Sequence, residues 1–251
     1  MKRITLMAVL TALVSTLAAQ SVVLAEPHNN LWPYRSTLYT TPVGQDDENA
    51  YFFLHDRSVP GFKPKTFTDH LYVIDNGTLK KKADVALTVS NRHTFLGGVN
   101  GENGVYVLYA SLPGKGDKMV FTLADLGKKT RTMTLSDNNT VTAAANPKFW
   151  PEFKTAKSPD GKLFATLAVV TGKDSRLEGL FAVVINNEGE FLWSGPVTPQ
   201  FDGTSYSLGD PAVDDGGNLY VPAYTCQVSG KTVSNVRLMM VRANGDGTDS
   251  F

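Results

Sequence analysis

The sequence predicts an all-β fold in which one antiparallel sheet is repeated about four times along the chain. Three segments share one layout, in which a Gly-containing turn is followed by an apolar strand. Counting from Val105 to Leu163 to Leu219 gives steps of 58 and 56 residues, and a more divergent copy begins near Tyr51. No long stretch has the 3.6-residue apolar period of a helix. A repeat of this length predicts stacked β-sheets.

Each repeat contains a second apolar strand and then a hairpin signal. The second strands lie at residues 71–74, 119–123, 180–185 and 236–241. Strands that are apolar on both faces are typical of sheets covered on both faces. The turns, rich in Asn, Asp and Gly, lie at residues 75–77, 125–127, 186–189 and 243–245. A more polar strand follows, as at residues 130–135, and is expected to form the exposed outer edge.

Two of the turns carry a resemblance to known repeat families. The segment Ser158-Pro159-Asp160-Gly161-Lys162-Leu163 resembles the SPDG turn of the PD40 (TolB-like) propeller repeat. Residues 211–221 are similar to the blade signature of NHL-type propellers. The resemblance implies an all-β, propeller-like array of about four four-stranded antiparallel blades. It implies no activity, because propellers serve as binding modules, hydrolases and lyases alike.

The predicted organisation is a leader at residues 1–25 and a repeat domain at residues 26–251. The blades are expected at approximately residues 31–90, 91–147, 148–203 and 204–251. Pro222 is expected to distort its strand, because proline cannot donate to a sheet. In the fourth blade only residues 248–251 follow the last turn, so an outer strand is predicted to be missing. Either residues 26–32 close a ring, or the array is open or incomplete; the second alternative is favoured because residues 27–30 are poor strand formers.

The amino terminus has the order of a secretory signal peptide. Lys2 and Arg3 precede an apolar region, and Val23-Leu24-Ala25 supplies small residues at its end. We therefore predict cleavage after Ala25 and an exported protein, either periplasmic or secreted. Polar residues interrupt the apolar region, which disfavours a membrane span.

The charge balance excludes two classes of partner. The chain has 24 basic and 24 acidic residues, and loss of Lys2 and Arg3 with the leader leaves 22 against 24. Nucleic acids and anionic membranes require a basic surface, so neither is predicted as a partner. Lys80, Lys81 and Lys82 form a run of basic residues and are expected on an exposed edge strand.

The search for catalytic chemistry is mostly negative. The sequence contains no nucleophile elbow, zinc-protease motif or phosphate loop. The four histidines form no local metal motif. Residues 244–249 resemble part of a calcium loop, but the first ligand position falls on Arg242, so no metal or cofactor is predicted. Cys226 has no partner for a disulfide and is expected to be a small buried apolar residue.

Comparison of the repeats gives one candidate site. Aligning Tyr51 with Val105 and Leu163 shows that blade one ends its strand with His55-Asp56-Arg57, where the other blades are apolar. The connections between blades are expected on the same face. The predicted ligand-binding residues are His55, Asp56, Arg57, Arg92, His93, Trp150, Glu152, Asp202 and Tyr206. The alternative is a terminal repeat with a more hydrated strand.

Two functions are compatible with the sequence. The first is an exported, non-catalytic propeller-like binding or scaffold protein of the bacterial cell envelope or exterior, with a protein or glycan partner. The alternative is the propeller part of an exported hydrolase or lyase with a polar site on the loop face. The absence of a strong catalytic motif favours the first.

Overall fold

The described part of the chain is entirely β-structure. The computed structural model describes residues 38–56, 65–111, 118–127, 133–142, 151–171, 177–199, 205–229 and 232–251. These residues form four antiparallel sheets, which confirms the predicted all-β, blade-like architecture. They contain no helix long and apolar enough to cross a membrane.

Each sheet follows the order of the chain. Sheet one comprises β1 (Leu38–Gln45), β2 (Asn49–Asp56), β3 (Thr66–Asp75) and β4 (Lys81–Ser90). Sheet two comprises β5 (His93–Asn100), β6 (Gly104–Ser111), β7 (Val120–Gly127) and β8 (Met133–Thr142). Sheet three comprises β9 (Glu152–Lys157), β10 (Leu163–Thr171), β11 (Leu177–Asn186) and β12 (Phe191–Val197). Sheet four comprises β13 (Ser205–Leu208), β14 (Ala212–Val213), β15 (Leu219–Ser229), β16 (Thr232–Asn244) and β17 (Gly247–Ser250).

The sheets pack face to face in chain order through three apolar interfaces. Phe53 of sheet one packs in one cluster with Val107 of sheet two. Further along, sheets two and three share a second cluster, and sheets three and four share a third. Sheets that are buried on both faces account for the continuous apolar strands. No comparable packing joins the described strands of sheets four and one, so within the described residues the array is open.

The chain direction gives every sheet two distinct ends. At the entry end the first strand begins and the second strand ends, as shown by the pairing of Leu38 with Asp56. At the hairpin end the first strand turns into the second, as between Gln45 and Asn49. The last strand of each sheet leads back to the entry end, where the next sheet begins.

In sheets two and four, the residue equivalent to Tyr51 lies one position later in the chain than the repeat alignment places it. That alignment places Tyr51, Val105, Leu163 and Leu219 at equivalent positions. In the structure Tyr51 and Leu163 pack toward the following sheet, whereas Val105 and Leu219 pack toward the preceding one. A shift of one residue moves every side chain to the other face of a sheet. The equivalent positions are therefore Tyr51, Tyr106, Leu163 and Tyr220.

One predicted turn is wrong. Residues 125–127 are the last residues of β7, where they pair with the beginning of β6, and the polar strand that follows is β8, which begins at Met133. The other predicted turns begin at the ends of strands β3, β11 and β16 and continue into the loops that follow. The three lysines are exposed. Lys80 immediately precedes β4, and Lys81 and Lys82 begin this strand, which is the outer strand of sheet one, as the sequence predicts.

Pro222 distorts the neighbouring strand rather than its own. It pairs regularly with Met240, and the β-bulge of β15 lies beyond it, between Thr225 and Gln227. Opposite Pro222 the inner strand is divided into β13 and β14, and the Gly209 N–H bonds to the Pro222 carbonyl at 2.7 Å. A proline without an N–H thus accounts for an inner strand that is interrupted at this point.

Two expectations about sheet four are wrong, since its outer strand is present and Cys226 is not fully buried. Residues 247–250 do form an outer strand, β17, because they pair with Val241–Asn244 across a tight turn. Asn244 closes this turn by accepting hydrogen bonds from the N–H groups of Asp246 and Gly247. Cys226 is half-exposed, since it lies on the outward side of β15 rather than in the core. Residues 26–32, the predicted alternative strand, lie outside the described residues.

Candidate functional site

The sequence-predicted site residues that the structure describes lie at the entry ends of the sheets. His55 and Asp56 are the last residues of β2, and Tyr206 is the second residue of β13; only their backbones are described. Arg92 lies in the turn before β5, His93 begins β5, and Glu152 begins β9. Arg57, Trp150 and Asp202 lie outside the described residues. That these residues bind a ligand together stays a prediction.

The described side chains of this group have different environments. Arg92 is exposed, and its backbone N–H bonds to Ser90 Oγ at 3.3 Å. Glu152 is exposed, with Oε1 at 3.5 Å from Lys154 Nζ. His93 is half-buried, and its ring meets Tyr109 edge to face with 6.2 Å between centroids. Of these three, only His93 reaches between sheets one and two.

His93 lies beside a buried polar pair that the sequence comparison missed. The Tyr109 hydroxyl donates to Asp69 Oδ2 at 3.0 Å, and both residues are fully buried between sheets one and two. Asp69 lies on the side of β3 that carries Leu71 and Val73. The sequence contained one signal of this pair, because Asp69 falls at a position of the alternating strand where the following residues, Leu71 and Val73, are apolar. Because both groups are buried, this pair ties the two sheets together rather than forming an open site.

Aromatic packing fixes the surroundings of that pair. Phe53 of sheet one stacks on Phe95 of sheet two, with 4.2 Å between ring centroids. Tyr109 meets Phe53 and Phe95 edge to face, at 6.1 and 6.0 Å. Such contacts are favourable beyond the burial of area. Phe53 and Tyr109 are fully buried, so this region is an interface core.

An open cavity lies at the opposite, hairpin end, between sheets one and two. Its volume is about 450 Å³, within the range of small-molecule sites. Sheet one supplies most of the lining, and the end of β7 supplies the rest. The lining residues are Asp46, Asp47, Glu48, Asn49, Tyr51, Val73, Lys82, Leu126 and Gly127.

The turn between β1 and β2 shapes the cavity, and Asp46 organises this turn. Its Oδ1 accepts hydrogen bonds from the backbone N–H groups of Glu48 and Asn49 at 3.0 and 2.8 Å. Its Oδ2 accepts from the Tyr51 hydroxyl at 2.7 Å. Asn76 donates its side-chain amide to the Asp46 carbonyl at 2.8 Å, which ties the β3–β4 turn to this one. The Asp46 carboxylate is therefore committed to holding the turn.

The other charged residues that line the cavity are Asp47, Glu48 and Lys82, and the last two lie within ion-pair distance of each other. Lys82 Nζ lies 3.1 Å from Asn49 Oδ1 and 3.5 Å from Glu48 Oε2. Asp75 lies just beyond, 4.0 Å from Lys82; hydrogen bonds from Thr78, first from its backbone N–H, hold the pKa of Asp75 below its usual value. Asp47 and Glu48 are exposed at the mouth.

The cavity thus combines acidic and apolar walls. Its lining has three carboxylates against one ammonium, and Val73 and Leu126 form apolar walls. An amine on an apolar chain matches this arrangement, since the carboxylates complement its charge and the walls its methylene groups. No group of three or more His, Cys, Asp or Glu side chains suited to a metal ion occurs among the described residues.

A second polar cluster lies on the outward side of sheet one. Asp84 bridges His70 Nδ1 at 2.8 Å and Lys81 Nζ at 3.4 Å. Lys81 also lies over the ring of Tyr72, 4.7 Å from its centroid. The Tyr72 hydroxyl is buried and finds no hydrogen-bond partner among the described residues. Burial, and then the charge of Asp84, raise the pKa of Tyr72 to about 12. The Tyr72 hydroxyl is therefore removed from water without a hydrogen bond from the described residues in its place.

Comparison with known proteins gives structural likenesses but no family or sequence match. No protein-family model matches the chain, and no curated protein matches its sequence. Among solved structures, the chain is similar to Kuenenia stuttgartiensis hydrazine synthase, with 12% sequence identity over 80% of this chain and a TM-score of 0.29. The chain spans 62% of the length of that chain.

Proposed function

We propose that this protein is an exported, propeller-like binding protein that holds an amine group of a partner in the cavity between sheets one and two. The observation that carries the proposal is the 450 Å³ cavity with Asp47 and Glu48 at its mouth. A lysine side chain of a partner protein fits this chemistry. Its ammonium group contacts the two carboxylates while its methylene groups lie against Val73 and Leu126.

The geometry of two turns supports membership among PD40-like and NHL-like blades. Ser158 and Leu163 close the first turn through a backbone bond of 3.1 Å, with Gly161 at φ 73°. Asp214 closes the second turn by accepting from the N–H groups of Gly216 and Asn218. Positive φ at the glycine is the reason these turns require Gly.

Binding of an amine is tested with a matched pair of probes. Nα-acetyl-lysinamide carries the ammonium group, and Nα-acetyl-norleucinamide has a side chain of similar length without the charge. Titration followed by NMR is expected to show tighter binding of the lysine probe, with shifts at Val73 and Leu126. Added salt is expected to weaken this binding, because exposed charges are screened.

Variants of the cavity mouth locate the site. The double variant Asp47→Asn with Glu48→Gln is expected to weaken binding of the lysine probe at least about fivefold, the order expected for two exposed charge contacts of up to about 1 kcal/mol each. The control is Glu178→Gln, which removes an exposed carboxylate at the entry end of sheet three. Equal binding of both probes, or equal losses in the two variants, contradicts the proposed site.

Export is tested separately, by measuring the mass of the mature protein. Expression of the full chain in a bacterium that secretes proteins is expected to give a product beginning at Glu26, because the order of charged, apolar and small residues suits a signal peptidase. Intact-mass measurement of exported material gives the cleavage position. An exported product that retains Met1 refutes the leader.

A further inference from the structure

A β-bulge turns Lys82 toward the cavity between sheets one and two. Ala83 of β4 pairs with Val73, and Lys81 pairs with the next residue of β3, Ile74. Lys82 is therefore an additional residue between two pairs, which defines a β-bulge. In a regular strand Lys82 would pair with Ile74, which faces outward. With the bulge, Lys81 takes that outward place and Lys82 lines the cavity.

The Lys82 ammonium lies against two oxygen acceptors of the cavity. Its Nζ is 3.1 Å from Asn49 Oδ1 and 3.5 Å from Glu48 Oε2. The Asn49 amide presents its oxygen to Lys82 because its nitrogen donates to Asp46 Oδ1 at 3.3 Å. An ammonium group has three donors and no acceptor, so an amide oxygen and a carboxylate oxygen suit it. The cavity thus already holds an ammonium group, which belongs to the chain itself.

A partner amine would need the same oxygens. Asp46 is held by its turn, and Glu48 and Asn49 are in contact with Lys82. Two ammonium groups brought together at these acceptors repel each other. An incoming amine therefore reaches Glu48 fully only when Lys82 moves aside.

Asp75 offers Lys82 a second position outside the cavity. Its Oδ2 lies 4.0 Å from Lys82 Nζ, while its Oδ1 accepts from the backbone N–H groups of Gly77 and Thr78. The hydrogen bond from the Thr78 N–H is the first cause that holds the pKa of Asp75 below its usual value. Asp75 is therefore negatively charged in neutral solution and can receive the displaced ammonium.

We propose that Lys82 is a resident competitor in the amine cavity, and that a partner amine binds by displacing the Lys82 ammonium from Glu48 toward Asp75. This inference rests on the proposed function, because it concerns the same cavity. The Lys82 side chain is 35% exposed, so it moves between the two carboxylates without opening the core.

Lys82→Met tests the competition, because methionine keeps an unbranched side chain and removes the charge. The variant is expected to bind Nα-acetyl-lysinamide at least about threefold more tightly than the wild type, the order expected for loss of one exposed ion pair. Lys80→Met is the matched control, since Lys80 is exposed just before β4 and does not line the cavity. A general effect of net charge is common to both variants, so the difference between them measures the competition.

The Lys82 side chain gives a second readout, which does not depend on the affinity of a variant. In protein labelled with ¹³C-lysine, its ε-methylene NMR signal is identified by its absence from Lys82→Met. This signal is expected to shift when the lysine probe saturates the wild type, and to stay in place with the uncharged norleucine probe. Without a probe, Glu48→Gln is expected to shift it and Glu178→Gln is not.

The outcomes separate this inference from the proposed function. Binding of the lysine probe with an unchanged Lys82 signal and equal affinities in the two methionine variants overturns the displacement and leaves the amine cavity standing. Binding by Lys82→Met without binding by the wild type supports the displacement. Absence of binding by the wild type and by both variants overturns the proposed function, and this inference with it.

Discussion

Replacement of Gly97 by alanine is expected to lower the free energy of unfolding by about 3 kcal/mol or more. Gly97 lies in β5 at φ +151°, a conformation that favours glycine. A Cβ at this position would lie 2.3 Å from the ring of Phe164, which is buried between sheets two and three. Phe164 is 3% exposed, and close packing in the core limits how far its ring can move. Chemical denaturation of the purified variant measures the change.

The matched control for this variant is Gly179→Ala. Gly179 also lies in a strand, β11, but it has no positive φ, and nothing lies within 4 Å of an added Cβ. Its replacement is expected to change stability by less than about 1 kcal/mol, through backbone entropy alone. Equal free energies of unfolding for the two variants would contradict the close approach of Gly97 to the Phe164 ring.

Replacement of Tyr109 by phenylalanine is expected to cost about 2 to 3 kcal/mol of stability. The change keeps the ring and its aromatic contacts and removes only the hydroxyl, which donates to the buried carboxylate of Asp69. Loss of a buried hydrogen bond carries a larger penalty than loss of a bond at the surface. Denaturation midpoints at neutral pH measure this effect.

The variant Tyr72→Phe also removes only a tyrosine hydroxyl, but this hydroxyl has no hydrogen-bond partner among the described residues. It is expected to leave stability unchanged or to raise it by about 1 kcal/mol, since a buried polar group without a bond is unfavourable. The two variants also differ in alkaline solution. The pKa of Tyr72 is raised to about 12, so the folded form resists ionisation that the unfolded chain undergoes near pH 10.

This difference in ionisation has a definite sign. Between about pH 10 and 12 the unfolded chain loses the Tyr72 proton first, and the free energy of unfolding falls as the pH rises. Tyr72→Phe is expected to reduce the slope of that fall. Equal slopes in the wild type and the variant, or a Tyr109→Phe variant as stable as Tyr72→Phe, contradict the environments described for the two tyrosines.

The sequence by itself determined the local structure. Apolar strands with Gly, Asn and Asp turns predict hairpins because they follow from backbone sterics and the two-residue period of a strand. Strands β2 and β3 pair as this pattern indicates, and so do β10 and β11. Repetition of the pattern also indicated four stacked sheets, since continuous apolar strands require cover on both faces.

Tertiary structure alone decided which side each strand presents. Repeats of unequal length can be aligned one residue apart with little change in similarity, yet that shift reverses the face of every side chain. Val105 and Leu163 were aligned for this reason, although one packs backward and the other forward. Pairing across the whole sheet selects between the two registers, and it depends on residues far apart in sequence.

The same long-range packing determines where the candidate site lies and which residues line it. The repeat comparison indicated His55 because it interrupts apolar positions, and Arg92 because it lies in a connection between blades. The cavity joins Glu48, Lys82 and Leu126, and nothing local marks these residues, since each is ordinary in its own strand or turn. They meet because sheet one stacks on sheet two at the hairpin end, and such contacts between distant segments are encoded in packing rather than in any short motif.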